Sequence, residues 1–162
     1  MAMKFLMFGV MLVGLRSSFA YNSGAPEQTC DSMTPGHTPF QPQVTTSPFT
    51  LNAFKTGVPG EVTIELRSRD NQQFKGFMIK AFRPGLNGDV RHLGEFGGNF
   101  HDFANKVECP LEQVLTHWNS QPKTELKFTW NAKENGNIQF RATVVQAYDI
   151  FYMNILSPVI NL

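Results

Sequence analysis

From Phe49 onward, apolar side chains recur at every second position, a period that an extended strand with one buried face uses and a helix does not. Val62, Ile64 and Leu66 alternate with Thr63, Glu65 and Arg67. Phe77, Ile79 and Ala81 alternate with Met78, Lys80 and Phe82, and Leu126, Phe128 and Trp130 alternate with Lys127 and Thr129. Ile138, Phe140, Ala142 and Val144 continue the pattern, and a last strand is read across Phe151, Met153 and Ile155. Breaks at residues 69–73, 84–88, 131–136 and 146–149 separate the runs, with Asn135-Gly136 the best two-residue hairpin signal. Short strands with turn chemistry between them predict an all-β antiparallel sandwich. One stretch is ambiguous: Pro110 suits a first helical position, and Leu111, Val114, Leu115 and Trp118 recur at helical spacing, so a short helix competes with a strand there.

The chain ahead of the strands is different in kind. Pro26, Pro35, Pro39, Pro42 and Pro48 exclude a helix over residues 21–48 and make a regular central strand improbable, so an extended arm is expected. Met33, Phe40 and Val44 are its apolar candidates for lying on a sheet. Before the arm, Lys4 precedes an apolar run over residues 5–15, and Ser18 and Ala20 are small residues at minus three and minus one of a cleavage site. Residues 1–20 therefore read as a signal peptide, leaving 21–162 as one secreted, extracellular domain. The apolar run is shorter than the roughly 20 residues a membrane span needs, and no later segment resembles one, so no transmembrane segment is expected.

Of 14 Lys and Arg and 13 Asp and Glu, the signal removes Lys4 and Arg16, and the remaining 12 basic and 13 acidic groups nearly balance. Such a balance argues against a nucleic-acid partner and against a cationic membrane-lysing peptide. A monomer is expected. Cys30 and Cys109 are the two cysteines, and an oxidising compartment would join them, two reduced thiols being the alternative. A bridge closing so long a loop is worth roughly 4–5 kcal/mol in the chain-entropy model. No N-x-S/T sequon occurs: Asn22-Ser23-Gly24 and Asn119-Ser120-Gln121 both miss the third residue.

Gly24-Ala25-Pro26, Cys30, Met33-x-Pro35-x-His37, Phe74-x-Gly76-Phe77-x-Ile79-x-Ala81, Cys109, Thr116-His117, Phe128-x-Trp130 and Phe140-x-Ala142-Thr143-Val144-Val145 follow one another in this order. Together they resemble a reelin (reeler) domain over nearly the whole mature chain, and the stand-alone length is similar to that of the infection-inducible defence proteins of insects. The resemblance implies an immunoglobulin-like β-sandwich, secretion and a non-enzymatic role. It assigns no catalytic residue. Asn131-Ala132-Lys133 departs from the family, which commonly has an Ala-Pro pair after the tryptophan. Physically, Gly76 suits a bulge or a close approach, and Phe77 and Trp130 are large enough to anchor a two-sheet core.

His37, His92, His101 and His117 fit no dense metal-ligand motif, and no metal or cofactor is expected. His37 is read as tying the arm to the sheet, His117 as packing beside Trp118. No G-x-S-x-G elbow occurs, and oxidised cysteines close the thiol route, so no catalytic residue is assigned. Glu61, Glu65, Glu95 and Asp102 are read as surface charge rather than a glycosidase pair. The glycine-rich stretch 94–103 carries Phe96, Phe100 and Phe103. These rings either fold inward as a satellite cluster or offer an aromatic surface to sugars, lipid headgroups or a protein partner.

The clearest electrostatic feature lies between positions 67 and 91, where Arg67, Arg69, Lys75, Lys80, Arg83 and Arg91 face only Asp70 and Asp89. Alternation puts Arg67 and Lys80 opposite the apolar sides of their strands. Two neighbouring strands would then show a basic outer face to microbial surface lipopolysaccharide or another anionic polysaccharide. The expected function is a secreted, non-enzymatic innate-immune defence protein that binds such a surface, whether or not it kills microbes directly. The rival is an extracellular matrix or adhesion module that binds a protein partner through the 94–103 loop.

Overall fold

The structure, a computed structural model, describes residues 23–85, 92–98, 100 and 102–162. The signal peptide (1–20), Arg91 and His101 lie outside the described residues. Among those described, the strands are β1 (Phe49–Lys55), β2 (Glu61–Ser68), β3 (Gly76–Phe82), β4 (Gly94–Gly97), β5 (Ala104–Glu108), β6 (Gln113–His117), β7 (Glu125–Ala132), β8 (Asn137–Ala147), β9 (Ile150–Leu156) and β10 (Ile160–Asn161). A 3-10 turn, Glu27–Thr29, interrupts the arm.

Two antiparallel sheets form, and they pack as the expected β-sandwich. One has the order β1-β2-β7-β4; the other has β10-β8-β3-β6-β5, with β9 also paired to β8. The alternating residues meet between them: Val62, Ile64, Leu66, Phe128 and Trp130 from the first sheet, Phe77, Ile79, Phe140, Ala142 and Val144 from the second. Trp130 sits edge-on to Phe140 with ring centroids 5.3 Å apart, and Phe77 lies 5.5 Å from Phe128, so single ring contacts span the two layers. Gly94 is held to glycine by this core, because a Cβ there would run into the Trp130 ring and the Asn131 carbonyl. Residues 133–136 turn β7 into β8, with Gly136 at φ +136°, where a side chain is disfavoured.

The second sheet is covered on its outer face as well. Cys30 and Met33 of the arm pack on Met78, Val114 and Cys109, forming a second apolar cluster. The Cys30–Cys109 disulfide, with Cα atoms 6.0 Å apart across 79 positions, fastens the arm over β6. Polar contacts continue the attachment: Lys80 Nζ donates to the Cys30 carbonyl (3.0 Å), Thr143 Oγ1 to the Met33 carbonyl (2.8 Å), and the Ala25 amide to Thr116 Oγ1 (3.0 Å). Farther along, the Gln43 amide donates to the Phe151 carbonyl. Of the arm's apolar candidates only Met33 is buried; Phe40 is 42% exposed and Val44 fully so.

Two local expectations change. Residues 113–117 form strand β6, and no helix follows Pro110. Leu115 enters the inter-sheet core while Val114 enters the arm cluster, so a strand buried on both faces loses its alternation and imitates helical spacing. Nor are the strands flanking 69–73 neighbours, since that stretch carries the chain from β2 in one sheet to β3 in the other. The aromatic rings of the 94–103 stretch turn inward, Phe96 and Phe100 being buried and Phe103 packing on the core.

Candidate functional site

The five described members of the basic set, Arg67, Arg69, Lys75, Lys80 and Arg83, do not share a face. Because β2 and β3 belong to different sheets, no basic hairpin forms. Lys80 points outward from β3 as alternation requires, yet the arm lies over it: the residue is 9% exposed, and its ammonium meets Glu112 Oε1 at 2.8 Å. On the outer face of the first sheet, Arg67 lies 3.8 Å from Glu65, and Lys127 reaches both Glu65 (3.2 Å) and Glu125 (2.9 Å). That hydrogen bond and the ammonium charge hold the Glu125 carboxyl below the usual carboxylate range. Arg83 pairs with Glu134 at 2.9 Å. Among the described members of the set, Arg69 and Lys75 are exposed and make no ion pair with a described residue.

Each of these two cations lines a concavity of the described residues. Arg69 lines a groove of about 490 Å³ between the β1 edge, the β9 edge and arm residues 43–47. Its walls carry hydroxyl and amide groups from Thr45, Thr46, Thr50, Asn52, Tyr152 and Asn154, and no carboxylate is among the lining residues. Asn154 has φ +56°, a left-handed conformation that asparagine tolerates better than most residues.

Lys75 lines a cleft of about 280 Å³ between the arm and the outer face of β3, β6 and β8. Its geometry follows from the arm attachments. Gly24, at φ +114°, lets the arm approach the Thr116-His117 backbone; a Cβ there would stand 2.9 Å from the His117 carbonyl oxygen. Beside it the His117 ring closes over Gly76, where a Cβ would be 3.1 Å from Cε1. His117 Nδ1 lies 3.3 Å from the Phe77 amide nitrogen, which donates to it. At the other end His37 stacks on Tyr148, with ring centroids 4.5 Å apart, and meets Phe151 edge-on. Burial pushes the His37 imidazole pKa below 6.5; the Tyr148 backbone bond works in the opposite direction, and nearby His117 adds to the depression. His37 thus ties the arm to the sheet through ring packing on Tyr148 and Phe151 together with the Tyr148 backbone bond.

The remaining candidates stay apart. Among the described residues no group of three or more His, Cys, Asp or Glu side chains is placed to hold a metal ion. His92 is exposed. Glu95 pairs with Lys133, whose ammonium holds its carboxyl below the usual range. Sequence reasoning assigned no site role to Tyr148, Ala147 or Ser120, which help to line the cleft; Ala147 and Tyr148 fall in the break at 146–149, and only the covering arm makes them walls.

An antiparallel sandwich with an N-terminal arm disulfide-bonded across one sheet is the class of fold this chain defines. The Reeler domain family model matches residues 28–162, and the chain belongs to that family. It is 33% identical over 162 residues to a defense protein of Antheraea mylitta, covering 96% of this chain and 94% of that protein. It is 32% identical to defense protein l(2)34Fc of Drosophila melanogaster, covering 85% and 86% respectively. Human ferric-chelate reductase 1 is 29% identical over 99% of this chain, but the match spans 28% of that protein. In fold, the human F-spondin reeler domain superposes with a TM-score of 0.60 at 20% identity, over 75% of this chain and 94% of that one. The chain is therefore a defence-related reeler protein, and its disulfide is consistent with an extracellular setting. Among the described residues no helix is long and apolar enough to cross a membrane.

Proposed function

We propose that this protein is exported by its N-terminal signal and acts in defence without turning over a substrate, by binding an anionic glycan of the microbial surface in the groove beside Arg69. The observation that carries this reading is the Arg69 guanidinium, which makes no ion pair with a described residue and stands among neutral hydroxyl and amide walls with no lining carboxylate. A guanidinium offers a planar fork to phosphate, sulfate or carboxylate, while hydroxyls, amides and the Tyr152 ring suit sugar hydroxyls and ring faces. Arg67 contributes little, since Glu65, Glu125 and Lys127 already balance that face.

Retention of the disulfide-intact protein on lipopolysaccharide and heparin resins tests the proposal. Arg69→Glu is expected to weaken binding at least about tenfold, the loss of one charge-assisted contact, while Arg67→Glu leaves most of it. Equal retention of wild type and Arg69→Glu would remove the groove from the account.

A further inference from the structure

The cleft under the arm differs chemically from the Arg69 groove, and its contents point to another ligand. Its apolar surface comes from Met33, Met78, Val145, Ala147 and Pro35. Lys75 supplies an exposed ammonium without an ion-pair partner among the described residues. No Asp or Glu lines the cleft; Glu27, Asp31 and Asp149, which neighbour lining segments in sequence, are exposed. His37, stacked on Tyr148, closes the other end of the cleft.

We infer that this cleft binds a small amphipathic carboxylate, its anionic head at Lys75 and its apolar body between the arm and β8. A volume of about 280 Å³ equals that of roughly nine water molecules at about 30 Å³ each, which suits a body of roughly eight to ten non-hydrogen atoms. A free medium-chain fatty acid has this size and polarity. Ordered apolar walls with a few convergent polar groups are the usual make-up of a small-molecule site. The disulfide and the Thr143, Lys80 and Thr116 contacts preform the cleft, so binding need not order the arm at entropic cost.

Calorimetric titration of the disulfide-intact protein with sodium octanoate tests the inference, with octan-1-ol as the neutral control. Octanoate is expected to bind with a Kd of about 0.1 mM, within the range of small-ligand efficiencies. Octan-1-ol and the surface variant Lys75→Gln should each lose about tenfold, one charge-assisted contact. Ala147→Phe, which fills the cavity, should abolish binding with the thermal transition retained; should it fail to fold, Lys75→Gln and the alcohol still decide. No binding at about 5 mM octanoate, equal affinity for the alcohol, or an unchanged Lys75→Gln would each overturn the inference. Arg69→Glu should leave octanoate binding intact, which separates this site from the glycan groove.

Discussion

Lys80 and Arg67 are both basic residues on outward-facing strand positions, yet their surroundings give them opposite energetic weight. The Lys80 ammonium is nearly enclosed, sharing Glu112 and the Cys30 carbonyl. Removing it strands a carboxylate and a carbonyl that water reaches poorly. Lys80→Ala is therefore expected to destabilise the fold by about 3 kcal/mol, measured by urea unfolding. Arg67 sits 3.8 Å from Glu65 with 53% of its side chain exposed, and Arg67→Ala should change stability by no more than about 0.5 kcal/mol. Both positions were legible in the sequence as outward-facing. Which of them water reaches was not, because the cover over Lys80 comes from Cys30 and Met33, some 50 positions upstream. The same limit applies to Arg83 and Glu134, whose pairing requires the fold to bring distant turns together.

At the level of elements, the arm is the unusual part, held at Cys30 by a covalent bond and at His37 by ring packing. Burial depresses the His37 pKa, so the folded arm favours the neutral ring. The released arm, with a histidine of pKa near 6.5, takes up a proton more readily. Attachment is therefore complete above about pH 6.5 and weakens as pH falls below that value toward the folded pKa. Limited proteolysis of residues 35–43 should accelerate on acidification in the wild type and respond much less in His37→Phe. Loss of the bridge has a larger effect: the Cys30→Ser, Cys109→Ser double variant should lose about 4 kcal/mol in the loop-closure account, read from denaturation midpoints. The strands with one solvent face, β2 and β7, were plain from alternation, as was β8. β6 was not, because Val114 and Leu115 are buried in different cores and the polar residues beside them, Gln113 and Thr116, are buried as well.

Across the molecule, ring contacts between the sheets and an arm laid over one of them fix where charge is available. Trp130→Ala, which empties the centre of the inter-sheet core, should cost about 4 kcal/mol without disturbing the arm cluster of Cys30, Met33, Met78 and Val114. The sandwich, the arm and its disulfide were readable from period, proline and cysteine placement. The two concavities were not, since each is walled by segments from distant parts of the chain. Among the described residues of the 67–91 basic set, one lysine is covered, two arginines are paired and Arg69 and Lys75 are open, and the proposed binding sites rest on that separation. Lysine acetylation of the native protein, followed by mass spectrometry, probes that separation directly. Lys75 should react rapidly and Lys80 remain protected, becoming reactive once the Cys30–Cys109 bridge is reduced; equal labelling of Lys75 and Lys80 in the oxidised protein would contradict the covered sheet on which the account stands.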